Sequence, residues 1–206
     1  MTHDEPLAAL FGSMAAVKLL RLFLFNPERV LGFGDIASRA RLTRRTARAE
    51  LAMLERAGIL ERKYFHETAP SGHKRRALGF ALARRFPFLE PLRAFLLATA
   101  PLDAKTLLSH ARKAGTFDAV VASGVFLGDF DRRMDALLVA KKIPEQKVER
   151  AMRTLEAELG IEIKYAFLPT DEFVYRLNMR ERLVRDVFDY PHRILVDRIN
   201  VHGTVR

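Results

Sequence analysis

The sequence predicts an α+β protein of two domains, residues 1–100 and 101–206, and three observations lead there. The first is residues 33–63, FGDIASRARLTRRTARAELAMLERAGILERK, which read as helix, corner, helix and the start of a hairpin. The second is charge. The chain carries a net +10, and residues 1–100 hold 17 Lys/Arg against 9 Asp/Glu, a net of +8, while residues 101–206 hold 18 against 16. The third is that short strand-like runs alternate with helices after Pro101, without repeats or low-complexity tracts, as a compact domain with a small mixed sheet requires.

The elements follow in order. Leu7 to Phe25 places Leu10, Met14, Val17, Leu20 and Leu24 at helical spacing and reads as one amphipathic helix ended by Asn26–Pro27; Phe11-Gly12-Ser13 reads as packing inside it. Phe33 to Arg39 is a short helix, followed by a corner at Ala40–Leu42. Thr43 stands where an N-cap belongs, because its hydroxyl can accept from the free N–H groups of the next turn. The helix it opens keeps Ala47, Leu51 and Leu54 on one face, and Gly58 stops it. Ile59–Phe65 and Arg76–Leu82 read as hairpin partners whose tip, HETAPSGHKR, carries Pro70 and Gly72. Phe88–Ala98 is a further helix before the junction at Pro101.

Beyond the junction, Ala104–Ala114, Glu145–Leu159, Asp171–Leu177 and Arg182–Phe188 read as helices. Phe117–Val121, Met134–Val139, Ile161–Leu168 and Ile194–Ile199 read as strands.

Composition excludes several classes. There is no cysteine, so disulfides, thiolate nucleophiles and Cys-based zinc sites are ruled out, and the six histidines show no metal-ligand spacing. The N-terminus starts with acids and lacks a basic leader, and no apolar run approaches the ~20 residues of a membrane span. A cytoplasmic protein with no membrane association is expected.

Between Arg39 and Arg48 lie five arginines and no acid. A helix with guanidinium groups on its outer, N-terminal side suits a DNA major groove, where arginine pairs bidentately with guanine. Over residues 7–98 the chain resembles bacterial and archaeal winged helix-turn-helix regulators. The resemblance implies that Thr43, Arg44, Arg45, Thr46 and Arg48 face double-stranded DNA. It also places His73, Lys74, Arg75 and Arg76 on a β-hairpin wing or its returning strand. A homodimer on a near-palindromic site is expected, with the apolar helix Leu7–Phe25 or the C-terminal domain as its surface.

Residues 103–200 resemble minimal nucleotidyltransferases of the polymerase-β-like superfamily. The similarity rests on VVASGVFLGDFDRRMDALLVA and, after a long helix, LEAELGIEIKYAFLPTDEFVYRL. Active members carry Gly-Ser after one strand and Asp-x-Asp on the next, where alternate carboxylates hold Mg²⁺. Here the second aspartate matches Asp135, but its partner position is Arg133. The Gly-Ser pair falls at Ala122–Ser123 or Ser123–Gly124, and Glu162 is a third carboxylate on the following strand. An Arg133–Asp135 contact at the rim of a filled pocket is expected, and Asp129-Phe-Asp131 reads as a solvated turn. The resemblance therefore implies a degenerate α/β domain with no catalytic residues, metal or cofactor. It would serve dimerisation, a nucleotide or other small-molecule effector, or a protein partner. The competing readings are an active nucleotidyltransferase with a winged-helix substrate-binding domain, and a protein–protein interaction module.

Overall fold

The structure is a computed structural model that describes residues 4–68 and 72–201. It is a mixed α+β protein with two small sheets. The chain divides into two compact units. One reaches to Ala100 and includes Glu156–Ile161; the other holds Pro101–Leu155 and the described residues from Glu162 onward.

The first unit contains α1 (Asp4–Phe11), α2 (Met14–Leu24), β1 (Leu31–Gly32), α3 (Phe33–Arg39), α4 (Arg44–Arg56), β2 (Leu60–Thr68), β3 (Lys74–Leu82) and α5 (Leu89–Ala98). The expected single helix Leu7–Phe25 is two. Gly12 adopts φ +85°, a left-handed conformation that ends α1, and Ser13 caps α2 by accepting from the Ala16 N–H at 2.9 Å. Phe11-Gly12-Ser13 is thus a joint between helices. Helix α2 is buried almost all round, from Ala15 to Leu24 apart from Lys18, so it offers no free face to a second copy. The large exposed apolar side chains among the described residues of this unit are Leu10 of α1, Tyr64 and Leu78 of the hairpin, and Phe88, Phe95 and Leu97 at α5.

Around α2 pack Ile36 of α3, Leu51 and Leu54 of α4, Leu60 and Leu82 of the hairpin and Leu96 of α5. Strands β2 and β3 pair antiparallel from Leu60↔Leu82 to Thr68↔Lys74, and β1 adds to the other edge of β3. The hairpin is longer than the sequence suggested. Thr68 and Lys74 are still in register, so His66, Lys74 and Arg75 belong to strands, while Pro70 of the expected tip lies outside the described residues. Cross-strand pairing beyond the apolar section comes from polar neighbours, which a hydrophobic pattern does not reveal.

Arg21 is fully buried within this unit. Its Nη1 donates to the Glu158 carbonyl at 2.9 Å and its Nη2 to the Thr99 carbonyl at 3.2 Å. Both acceptors lie at helix C-termini, where unpaired carbonyls and the helix dipole favour a cation. Asn26 donates to Gly160 O at 2.8 Å, and a Cβ on Gly160 would lie 2.5 Å from the Arg21 carbonyl carbon. The segment Glu156–Ile161 is therefore packed directly against the α2 backbone.

The second unit contains α6 (Ala104–Ala114), β4 (Ala119–Ala122), a 3₁₀ turn (Gly124–Leu127), β5 (Ala136–Val139), α7 (Glu145–Leu159, whose last turn counts with the first unit), β6 (Tyr165–Leu168), α8 (Thr170–Asn178), α9 (Arg182–Phe188) and β7 (Arg193–Asp197). The sheet runs β6-β5-β4-β7, with β5–β6 parallel and the other pairs antiparallel. Strands β4 and β5 are buried at every position, which is why they read as continuous apolar runs rather than alternating ones. Beside them pack Leu168, Phe173, Val184 and Val187. Strand β6 starts at Tyr165, four residues later than the alternation of Ile161–Leu168 suggests. The backbone at Lys164 is already engaged, its N–H donating to Asp135 Oδ2 and its carbonyl accepting from the Asp135 N–H.

Candidate nucleic-acid interface

Helix α4 is fixed at its start by Thr43, whose hydroxyl accepts from the Thr46 N–H at 3.1 Å and lies 2.8 Å from the Thr46 hydroxyl. The two threonines thus spend their hydroxyls on the cap. Ala47, Leu51 and Leu54 turn inward, and at 100° per residue Arg45, Ala49, Ala52 and Arg56 fall on the opposite side, all exposed. Alanines between arginines leave the backbone open to close approach. Arg56 escaped the sequence reading, although the spacing 45, 49, 52, 56 is the helical signal that finds it.

The charge balance of α4 is set by its flanks. Glu50 accepts the Ser13 hydroxyl at 2.6 Å, and Glu55 holds Arg62 of β2 through two bonds of 2.8 and 3.1 Å. Both acids of the helix are therefore engaged sideways. Arg44, Arg45, Arg48 and Arg56 have no carboxylate within ion-pair distance among the described residues. Arg48 lies over the Phe33 ring at 5.7 Å and Arg62 over Phe80 at 5.7 Å. These two arginines flank a pocket of about 280 Å³ between α4 and the hairpin, floored by Leu51, Leu78 and the two rings.

On the hairpin, Tyr64, Leu78 and Arg76 share the face that carries Arg62 and Phe80. Arg76 stacks on the Tyr64 ring with its guanidinium carbon 3.8 Å from the centroid. Arg75 lies on the other face, bonded to Glu67 at 2.6 Å, so its charge is partly spent. His73 and Lys74 are exposed at the head of β3. The structure thus places Arg44, Arg45 and Arg48 on one helix and Arg76 and Lys74 on the adjoining hairpin face, with Arg75 turned away.

The second unit arranges its sequence-predicted residues differently from the expected degenerate pocket. Asp135 precedes β5 and is buried. Its Oδ1 accepts from the Val125 N–H at 3.0 Å and its Oδ2 from the Lys164 N–H at 2.9 Å. Burial pushes its carboxyl above the usual aspartate range, and those two N–H donors oppose the shift. Gly124 makes room for it: at φ +51° the position of a Cβ would fall 2.1 Å from Asp135 Oδ1. Ser123 is buried and donates its hydroxyl to Met134 O at 2.8 Å, while its N–H donates to Asp135 O at 2.9 Å. Ser123, Gly124 and Asp135 are one self-satisfied clasp between the end of β4 and the start of β5.

The expected Arg133–Asp135 contact does not form. Strand alternation cannot bring the two together because the strand begins at Ala136; Arg133 is exposed while Asp135 is turned inward. Glu162 also lies outside its expected strand, exposed three residues before β6. Asp129 binds the Asp131 N–H at 3.2 Å and Arg132 Nε at 2.6 Å, which makes Asp129-Phe-Asp131 a closed turn. Among the described residues no group of three or more His, Asp or Glu could hold a metal ion. None of their helices is long and apolar enough to cross a membrane. No family model, curated protein or solved structure matches the chain.

Proposed function

We propose that the protein is a sequence-specific DNA-binding regulator of transcription. In this reading the first unit is a winged helix-turn-helix whose helix α4 enters the major groove and whose β2–β3 hairpin is the wing. The observation that carries it is the exposed surface of α4, whose four arginines have no carboxylate within ion-pair distance among the described residues while both acids of the helix are tied to its flanks. Backbone phosphates take such charges without regard to sequence, and one arginine bidentate to guanine adds ~1–3 kcal/mol of discrimination. Titrating a labelled duplex over a range of salt concentrations tests it. Log affinity should fall linearly with log salt, by about 0.9 for each phosphate neutralised. An affinity indifferent to salt would oppose the reading.

The second unit, in the same proposal, is a nucleotidyltransferase-like domain that has lost transfer activity and binds a small effector. The supporting geometry is Asp135, whose carboxylate oxygens both accept backbone N–H groups instead of facing solvent, and Ser123, whose hydroxyl is bound to Met134 O. A metal-assisted phosphoryl transfer needs carboxylates free to bind the cation and polarise the phosphate. Incubation with labelled nucleoside triphosphates and Mg²⁺ or Mn²⁺ should give no labelled protein, RNA or small acceptor. Labelling by the wild type that disappears in Asp135→Asn would establish an enzyme instead.

A further inference from the structure

The second unit has a polar pocket of about 360 Å³ lined by Asp131, Arg132 and Arg133 from the turn before β5, by Arg182 and Asp186 of α9, and by Tyr190. Three guanidinium groups and two carboxylates line it, a third carboxylate, Asp129, is bonded to Arg132 from beside the pocket, and the three arginines are not equally available. Arg132 is held by Asp129 at 2.6 Å and stacks on the Tyr190 ring at 4.3 Å, which fixes its orientation and occupies one face of that ring. Arg182 reaches Asp186 only at 3.9 Å, beyond a hydrogen bond. Arg133 is exposed and has no ion-pair partner among the described residues. Planar guanidinium forks match phosphate oxygens, and a rigid stacked arginine beside two loosely held ones is a ready receptor for a compact dianion.

The carboxylates narrow the class. Asp131 makes no ion pair among the described residues, and its backbone N–H is spent on Asp129. Beside bound phosphate such a group accepts hydrogen bonds from hydroxyls of the same ligand. The wall is polar on nearly every side, so little favours an apolar or aromatic moiety. We infer that this pocket binds a small phosphate monoester bearing hydroxyl groups, with Arg133 and Arg182 on the phosphate and Asp131 on a hydroxyl. The inference rests on the second unit being a non-catalytic effector domain.

The test is nuclear magnetic resonance titration of the full chain, with divalent metal chelated, using glycerol 3-phosphate and, separately, inorganic phosphate. Saturable shifts are expected at residues 131–133 and at the α9 amides, with glycerol 3-phosphate binding roughly tenfold tighter than inorganic phosphate. The double variant Arg133→Ala/Arg182→Ala, altered only at exposed side chains, should lose at least about tenfold for both ligands. Asp131→Ala, which removes the acceptor for the ligand hydroxyl, should bring the affinities for glycerol 3-phosphate and inorganic phosphate together. Absence of saturable shifts at these residues would overturn the inference, as would undiminished binding by the double variant, or equal binding of the two ligands by the wild type. Because metal is chelated, these outcomes do not depend on nucleotidyl transfer. Transfer activity with Mg²⁺ would refute the non-catalytic reading by a separate assay.

Discussion

Replacing Arg44, Arg45 and Arg48 together by alanine should lower affinity for a specific duplex by about two orders of magnitude or more, since each bidentate arginine–base pair is worth ~1–3 kcal/mol. All three side chains are exposed and have no carboxylate within ion-pair distance among the described residues, so the variant should keep its fold, with stability within about 0.5 kcal/mol of wild type. The salt dependence should also become shallower, because fewer phosphates are neutralised. Arg75→Ala is the internal contrast. Its guanidinium is already bonded to Glu67 on the other hairpin face, so the loss should be small. Electrophoretic mobility shift or fluorescence anisotropy measures both. A triple variant that binds duplex as well as wild type would remove α4 from the interface.

The largest loss of stability should come from Arg21→Ala, about 3–5 kcal/mol, from a large side-chain volume removed at full burial and two helix-end carbonyls left without their donor. Arg21→Lys should recover only part of this. A single ammonium on a flexible stem does not reproduce a fork that reaches Glu158 O and Thr99 O together. Chemical denaturation followed by circular dichroism reads the difference. A cost for Arg21→Ala below about 1 kcal/mol would show that these hydrogen bonds contribute little beyond their exchange with water.

Most of the secondary structure was legible because it is written in local signals. Thr43 caps α4 as its hydroxyl and position predict, Gly58 follows its end, and α7 spans Glu145–Leu159 as its periodicity requires. The errors arise where a local signal was weak or a distant neighbour decided. Gly12 and Ser13 break an apolar periodicity that runs across them, and the break shows only when glycine's left-handed φ and serine's capping role are weighed together. The two-residue strand β1 exists because β3 offers it an edge, which no spacing announces.

The site divides the same way. The arginines of α4 could be read from the chain, since one helix carries them. That Glu55 would be drawn off by Arg62, or Glu50 by Ser13, depended on tertiary neighbours. Asp135 shows the limit most clearly. A motif frame put it on a strand face beside Arg133, whereas it lies before the strand and accepts from Val125 and Lys164, ten and 29 residues away. The polar pocket joins residues 131–133 to α9 across some fifty positions and left no pattern in the sequence.

Whether α4 reads the sequence of duplex DNA is decided by selection from a random duplex pool, with wild type and the Arg44/Arg45/Arg48→Ala variant run in parallel. Successive rounds with the wild type should converge on one motif containing guanine, the base whose major-groove edge arginine pairs with bidentately, and the variant should enrich none. A wild-type pool that stays random, or the same motif recovered by both proteins, would contradict sequence reading by α4.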